Sequence, residues 1–463
     1  MVAAAVLLGL AACSVGPAYR RPQVALPGSW STSVPGASAS WPAAQWWRGF
    51  GSATLDTYVA QARSDGDDIA AAIARVREAD AQARIAGAAF LPAVGLDAGA
   101  TRERTHPLSG GAALTGNQFS PELTASYELD FWGKNRATRN AALLAAQASR
   151  FDQQTVTLAV ITSVAQSYFE ALEMHDRLQV AQNDLANAQH ILDGLTLEQQ
   201  VGTTTALDVA QQAAVVAVVN ASIPPLQAQL RQSLDALAVL LGRAPETIRL
   251  DSGGLAQVHT PPVIAGLPAQ LLARRPDVAE AEAQLHAANA NVVAARAAFF
   301  PNVDLTGSGG YASAVLGTLL SPASRVFAVT GAISQSIFEG GARRGQYQYS
   351  QARYAELLSD YHKTVLTALS DVENALIAVQ QTTEQQRRQQ DAADKAGRAF
   401  DFAQMQMAAG TTNVLTVLNT ETTLFTAQDE LVQVKYQHLQ ALVALYQALG
   451  GGWQQPQPGQ AKL

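Results

Sequence analysis

Val201-Gly202-Thr203-Thr204-Thr205-Ala206-Leu207-Asp208-Val209 interrupts a long apolar-periodic run, and Ala409-Gly410-Thr411-Thr412-Asn413-Val414-Leu415-Thr416-Val417 interrupts a second. A glycine can take the left-handed conformation that ends a helix, and a Thr after it can accept hydrogen bonds from the free N–H groups of the next one. Each stretch therefore predicts a tight turn between two long antiparallel helices. The two turns lie 208 residues apart, and other features return at nearly the same offset. Asp68-Ile69 recurs as Asp277-Val278, Ala89-Phe90-Leu91-Pro92 as Ala298-Phe299-Phe300-Pro301, Phe131 and Gly133 as Phe338 and Gly340, and Leu241-Gly242 as Leu449-Gly450. One unit has been duplicated with its features in order, so the 463 residues hold one repeated architecture rather than several unrelated domains.

Between these landmarks the pattern alternates between two periods. Residues 54–90 read as helix and stop at Pro92. Leu123, Ala125, Tyr127, Leu129 and Phe131 then alternate with polar residues, the mark of a strand with one apolar face. Val94, Leu96, Ala98 and Ala100 are its expected hairpin partner. No proline occurs from Glu122 to Ile223, and helical periodicity from Lys134 to about Leu197 implies a rod of about 90 Å at 1.5 Å per residue. Pro224-Pro225 predicts a kink or short break in the returning helix. In the second copy, Arg275-Pro276-Asp277 opens a helix that ends before Pro301. Val303 to Ile337 supplies a second hairpin, and the proline-free span from Ala323 to Gln455 supplies another pair of rods. Rods this long without internal caps point to coiled coil. The Gln-rich run 380–390 reads as a solvated helix face.

Composition excludes several functions. Net charge is −7 with no basic block, against nucleic-acid binding, and charged residues make up only 15% of the chain. The seven His and single Cys form no metal-ligand spacing, and Met405 and Met407 fit helix packing better than soft-metal binding. Gly307-x-Gly309 lies inside a strand, so it is no phosphate cradle. No nucleophile motif occurs, so the expectation is no enzyme, no cofactor and no metal.

Val2 to Leu10 is an apolar run too short to span a bilayer, followed by Leu10-Ala11-Ala12-Cys13-Ser14. It reads as a secretory signal, and Leu-Ala-Ala-Cys resembles the bacterial lipoprotein box, with Cys13 as the acylated residue and outer-membrane lipid as its partner. No Lys or Arg precedes Cys13, so the natural start is expected upstream. Trp30, Trp41, Trp46 and Trp47 then punctuate a Pro- and Gly-rich segment expected to be stapled to the folded body. The expected division is a signal peptide at 1–12 and a lipidated extension at 13–53. The first repeat covers 54–245 (hairpin about 93–131, turn at 202), a linker 246–272, the second repeat 273–450 (hairpin about 302–338, turn at 410), and a tail 451–463.

Four strands cannot close a membrane barrel, for which eight is the minimum; either they form a small soluble sheet or several copies pool their strands. The alternative without a channel is a lipid-anchored periplasmic coiled-coil adaptor or scaffold. Cys13-Ser-Val-Gly-Pro-x-Tyr, Trp46-Trp47-x-x-Phe50, Arg275-Pro276-Asp277, Phe299-Phe300-Pro301, Leu424-Phe425-Thr426-Ala427-Gln428 and Ala448-Leu449-Gly450-Gly451-Gly452-Trp453 resemble the TolC/OprM-type outer-membrane efflux lipoproteins over essentially the whole mature chain. The resemblance implies a mainly α fold with a small β part. Long antiparallel coiled coils would form a periplasmic α-barrel, and four strands per chain would enter a 12-stranded trimeric outer-membrane β-barrel. It also implies a homotrimer working with a periplasmic adaptor and an inner-membrane transporter as the passive exit duct of a tripartite efflux pump. Gly202, Thr203, Gly410 and Thr411 would lie at the adaptor-docking entrance, and Asp208, Leu415, Thr416, Asn419 and Glu421 at the pore constriction. The family commonly carries aspartates where this chain has Thr416 and Asn419, which implies a less cation-selective or more easily opened entrance.

Overall fold

The computed structural model describes residues 15–16, 18–32, 41–106, 112–250, 253–262 and 265–455. The chain divides into two compact units, one of residues 1–23, 75–150 and 280–362, the other of residues 24–74, 151–279 and 363–463.

The first unit contains the sheet. β1 (Ala93–Thr105), β2 (Leu114–Glu128), β3 (Asn302–Tyr311) and β4 (Arg325–Ser334) form one antiparallel sheet in the order β1-β2-β3-β4, so the two hairpins of the duplication meet at β2 and β3. The register sorts their side chains. Val94 and Leu96 pair with Ala125 and Leu123, these with Gly307 and Gly309, and these with Val329 and Phe327. Directly paired residues point to the same side, so these positions, with Tyr127, Leu305 and Ile333, make one continuous apolar face. The other face carries Asp97, Glu122, Thr124, Ser126, Asp304, Thr306, Ser308 and Thr330. Among the described residues nothing covers the apolar face: Phe327 is 88% exposed and Ile333 75%. β4 ends at Ser334, so Ile337 lies beyond the strand predicted to contain it. Where strands become helices, Trp132 stacks on Phe300 at 4.8 Å and its indole N–H donates to the Pro301 carbonyl at 2.8 Å. Phe299 meets Tyr347 edge-on. Phe299-Phe300-Pro301 thus both ends a helix and fixes the base of the sheet.

The duplication is most regular in the helices. α1 (Ala53–Asp65) and α2 (Asp67–Gly87) precede β1, with a break at Gly66 inside the single helix predicted for 54–90. α3 (Lys134–Gln200) and α4 (Ala206–Leu240) follow β2. α5 (Pro276–Ala297) precedes β3, and α6 (Ala342–Ala408) and α7 (Val414–Ala448) follow β4. α3 and α6 both have 67 residues, α4 and α7 both have 35, and every boundary recurs at 208. Pro224-Pro225 does not break α4, which runs through both. The pair removes two amide donors, but the carbonyls they orphan belong to exposed residues Asn220 and Ala221, within reach of water, while Val219 and Leu226 stay buried on the other side.

The second unit holds the main core. Arg275 is its polar knot: its guanidinium takes Asp277 through two bonds of 2.9 and 2.6 Å and reaches Asp371 at 3.0 Å and the Ala448 carbonyl at 3.2 Å. Arg-Pro-Asp thus places a helix-starting Pro between a buried cation and its bidentate partner. The glycines after α4 and α7 are matched. Gly242 (φ 66°) lies against the Asp65 carbonyl and Gly450 (φ 84°) against the Arg274 carbonyl, so each return helix ends against the start of its own repeat with no room for a Cβ. Trp46, Trp47 and Phe50 form a buried 3-10 turn; Trp46 stacks on Tyr446 at 5.2 Å and Phe50 meets Phe169 at 5.0 Å. The Trp30 and Trp41 indoles donate to the Ala265 carbonyl and the Gln270 side chain, which staples that segment down as expected.

Candidate functional site

The two helix turns have nearly the same backbone. Gly202 and Gly410 have φ of 80° and 69°. Thr203 donates its N–H to the Glu198 carbonyl at 2.9 Å, as Thr411 does to that of Gln406, and both hydroxyls reach the same carbonyls at 3.0 and 3.1 Å. These are Schellman-type endings in which Gly supplies the left-handed residue and Thr ties off an orphan carbonyl. Leu195, Val414 and Leu418 form a small core beneath the turns with Ile191, Val209, Val215 and Met407 around it, so the turns of both repeats sit on shared packing. Met407 is part of that packing and Met405 is exposed; the described residues contain no cluster of three or more His, Cys, Asp or Glu.

The turns differ in their caps. Thr205 and Asp208 form a reciprocal capping box, the Thr205 hydroxyl accepting from the Asp208 N–H at 3.2 Å while the Asp208 carboxylate accepts from the Thr205 N–H at 3.1 Å. The Thr205 hydroxyl, then its N–H, holds the Asp208 carboxyl below its usual range. Thr416, 208 residues later, is the counterpart of Asp208. There Asn413 is the cap, its side-chain carbonyl accepting from the Thr416 N–H at 3.2 Å and the Thr416 hydroxyl at 3.1 Å. Asp208 therefore has a local task in starting α4, and α7 manages without an acid.

Leu415, Thr416 and Asn419 are exposed and, at i, i+1 and i+4, lie on one side of α7. Glu421 parts from them. Only 2% exposed, it is turned into the bundle, where its Oε2 accepts from the Gln212 amide at 3.4 Å. Gln212 is fully buried and also donates to the Ala188 carbonyl at 2.8 Å. Burial, opposed by the Gln212 hydrogen bond and reinforced by nearby Asp184, pushes the Glu421 carboxyl up to about 7; burial alone raises Asp184 to about 6. Glu421 is two residues from Asn419 in sequence, but Val414, Val417, Leu418, Glu421 and Leu424 follow the core spacing of a coiled coil. That spacing was the available signal. Cys13 lies outside the described residues.

The family model described as "Outer membrane efflux protein" matches residues 58–243 and 267–451, once per repeat. The chain belongs to the outer membrane efflux protein family. This efflux protein is 38% identical over 470 residues to the pyoverdine export outer membrane protein OpmQ of Pseudomonas aeruginosa, covering all of this chain and 98% of that one. It is 31% identical over 453 residues to the cation efflux system protein CusC of Escherichia coli, covering 96% and 98%. Among solved structures it resembles the outer-membrane channel OprN (TM-score 0.90, 28% identity, 96% of this chain and 100% of that one). It also resembles the open state of the Neisseria gonorrhoeae MtrE outer membrane channel (TM-score 0.85, 27% identity, 95% and 98%). The chain is an outer-membrane efflux component, mainly helical with a small four-stranded sheet, built from two tandem repeats whose helical part is periplasmic.

Proposed function

We propose that three copies of this chain pool their sheets into a 12-stranded outer-membrane barrel continued by the helices as a periplasmic tunnel, the passive exit duct of a tripartite efflux pump. The observation that carries this reading is the uncovered apolar face of a sheet whose edge strands, β1 and β4, are unpaired. An apolar face and a polar face on strands of 10 to 15 residues suit the lipid and lumen sides of a barrel wall, and only closure removes the edges. The exposed apolar side chains of α4, among them Leu207 and Val239, suit burial against neighbouring copies. Acylation of Cys13 would anchor the N-terminus in outer-membrane lipid.

The turns at Gly202, Thr203, Gly410 and Thr411 present the entrance to a periplasmic adaptor and, through it, to an inner-membrane transporter. Leu415, Thr416 and Asn419, with Asp208, narrow the pore there. With Asn at 419, the entrance favours cations less than an acid ring would, so Asn419→Asp is expected to raise cation over anion permeability several-fold in planar bilayers; unchanged selectivity would remove Asn419 from the constriction. The chain moves its cargo without chemical change and adds no catalytic step.

The deciding measurement is native mass after extraction of the full-length protein from outer membranes in mild detergent. Three chains, each carrying lipid mass, support the pooled barrel. A monomer released from the membrane by Cys13→Ser would show that the sheet never enters the bilayer and favour a tethered scaffold.

A further inference from the structure

A cavity of about 260 Å³ opens beside Glu421, bounded by α3, α4 and α7. Its walls are Val215, Val218 and Val219 on one side and Phe425 on another, with Asp184 and Glu421 the only acids on its lining. Glu421 Oε1 has no hydrogen-bond partner although it is buried, and neither has Gln212 Oε1 behind it. Among the described residues no Arg, Lys or His pairs with Asp184 or Glu421. α4 contributes Ala214, Val215, Val218, Val219 and Ser222 and no charge to this site, and α6 packs on α7 through Ala393, Ala396, Phe400 and Ala403, none of them titratable. A buried carboxyl such as that of Glu421, with an orphaned oxygen and no counter-ion, is costly unless a cation or a proton arrives, and half-buried Asp184 adds a second acid beside it.

The chemistry narrows the visitor. Calcium and magnesium favour sites rich in oxygen and water, whereas Ala214, Val215, Val218, Val219 and Phe425 dominate this lining, and the Ser222 and Thr422 hydroxyls are turned to the Val219 and Leu418 carbonyls. An anion would meet only acids. An ammonium group on an apolar stem fits every wall: N–H donors for Asp184, Glu421 and the Ser222 and Thr422 hydroxyl oxygens, hydrocarbon for the valines, and a cation–π or ring contact for Phe425.

We propose that this cavity is a binding site for small organic ammonium ions carrying an apolar or aromatic body, with Glu421 and Asp184 as counter-ions and Phe425 as the ring wall. The site is separate from the turns, and its residues are brought together within one chain, so the proposal does not depend on the duct reading. Because Asp184 from α3 and Glu421 from α7 are the titratable groups that face it, binding requires at least one of them to be deprotonated, and the ligand displaces a proton as it enters.

The test is titration calorimetry of the detergent-extracted full chain with benzylammonium chloride, and with benzyl alcohol as the uncharged comparison, at pH 8 and pH 5.5. Expected is binding of benzylammonium at pH 8, severalfold weaker at pH 5.5, where the measured heat varies with the buffer's ionisation enthalpy because protons are released, and at least tenfold discrimination against benzyl alcohol at pH 8. Glu421→Gln keeps the shape and the Gln212 hydrogen bond and is expected to weaken binding at least tenfold at pH 8 with unchanged native mass; Asp184→Asn provides an independent variant on another helix. Absence of benzylammonium binding at pH 8 overturns the proposal. So does equal binding of benzyl alcohol, which would mean an apolar void without charge recognition, or retention of wild-type affinity in both variants, which would place the ligand elsewhere.

Discussion

At the scale of single residues, Glu421 shows how one position in a helical bundle serves two masters. Its raised carboxyl makes the folded state hold a proton that the unfolded chain releases near its ordinary pKa of about 4.3. The sign follows: Glu421 penalises the fold least below about pH 4, and the penalty grows as pH rises toward 7. Wild type measured against Glu421→Gln should therefore lose relative thermal stability between about pH 4.5 and 7 and then level off; parallel curves across that range would mean the carboxyl is not desolvated. Taking the difference matters, because hydrogen-bonded acids such as Asp208 and Glu373, held below their usual range, push stability the opposite way with pH. Glycines make a second comparison. Gly410 and Gly450 are both left-handed, but a Cβ at 410 meets open space and one at 450 meets the Arg274 carbonyl. Gly410→Ala should cost about 1–2 kcal/mol, the backbone term alone. Gly450→Ala should cost clearly more, because the Arg274 carbonyl and the Arg275 knot beside it would have to shift; equal melting temperatures for the two variants would contradict this.

At the scale of elements, the turns join helices whose length makes their ends matter. Thr205→Ala removes the hydroxyl half of the capping box, leaving the backbone N–H of residue 205 to donate to Asp208, and should cost about 1 kcal/mol, with faster amide exchange confined to the first turn of α4. Asn413→Ala removes a lone cap and should loosen the start of α7 likewise. If exchange quickened along the whole of either helix instead, the cap would be setting global rather than local stability. The side-by-side tolerance of Pro224-Pro225 in α4 obeys the same logic from inside a helix: lost donors are affordable where water can reach the orphaned carbonyls.

At the scale of the whole molecule, the sheet is unfinished. In the proposed barrel a charge on its apolar face would enter lipid, whereas one on the other face would meet water in the lumen. Val329→Arg is expected to destabilise the membrane-inserted protein by about 2–4 kcal/mol if it lies near mid-bilayer, and Thr330→Arg by much less. Folding titrations in lipid vesicles compare them directly; similar losses would show that the two faces do not see different solvents.

The sequence by itself determined the duplication, the long helix pairs with their turns, the strand alternation and the family, because these depend on period, glycine and proline, which are local or repeat at a fixed offset. It also located Arg275-Pro276-Asp277 and the final glycines without explaining them. Tertiary structure alone decided that α4 runs on through its prolines and that the hairpins meet at β2 and β3. It also decided that Asp208 spends its charge on a cap and that Glu421 turns inward toward Gln212 and Asp184. Those outcomes depend on which side of a helix or strand has a neighbour, and a neighbour 209 residues away in the chain, as Gln212 is from Glu421, is set only when the helices pack.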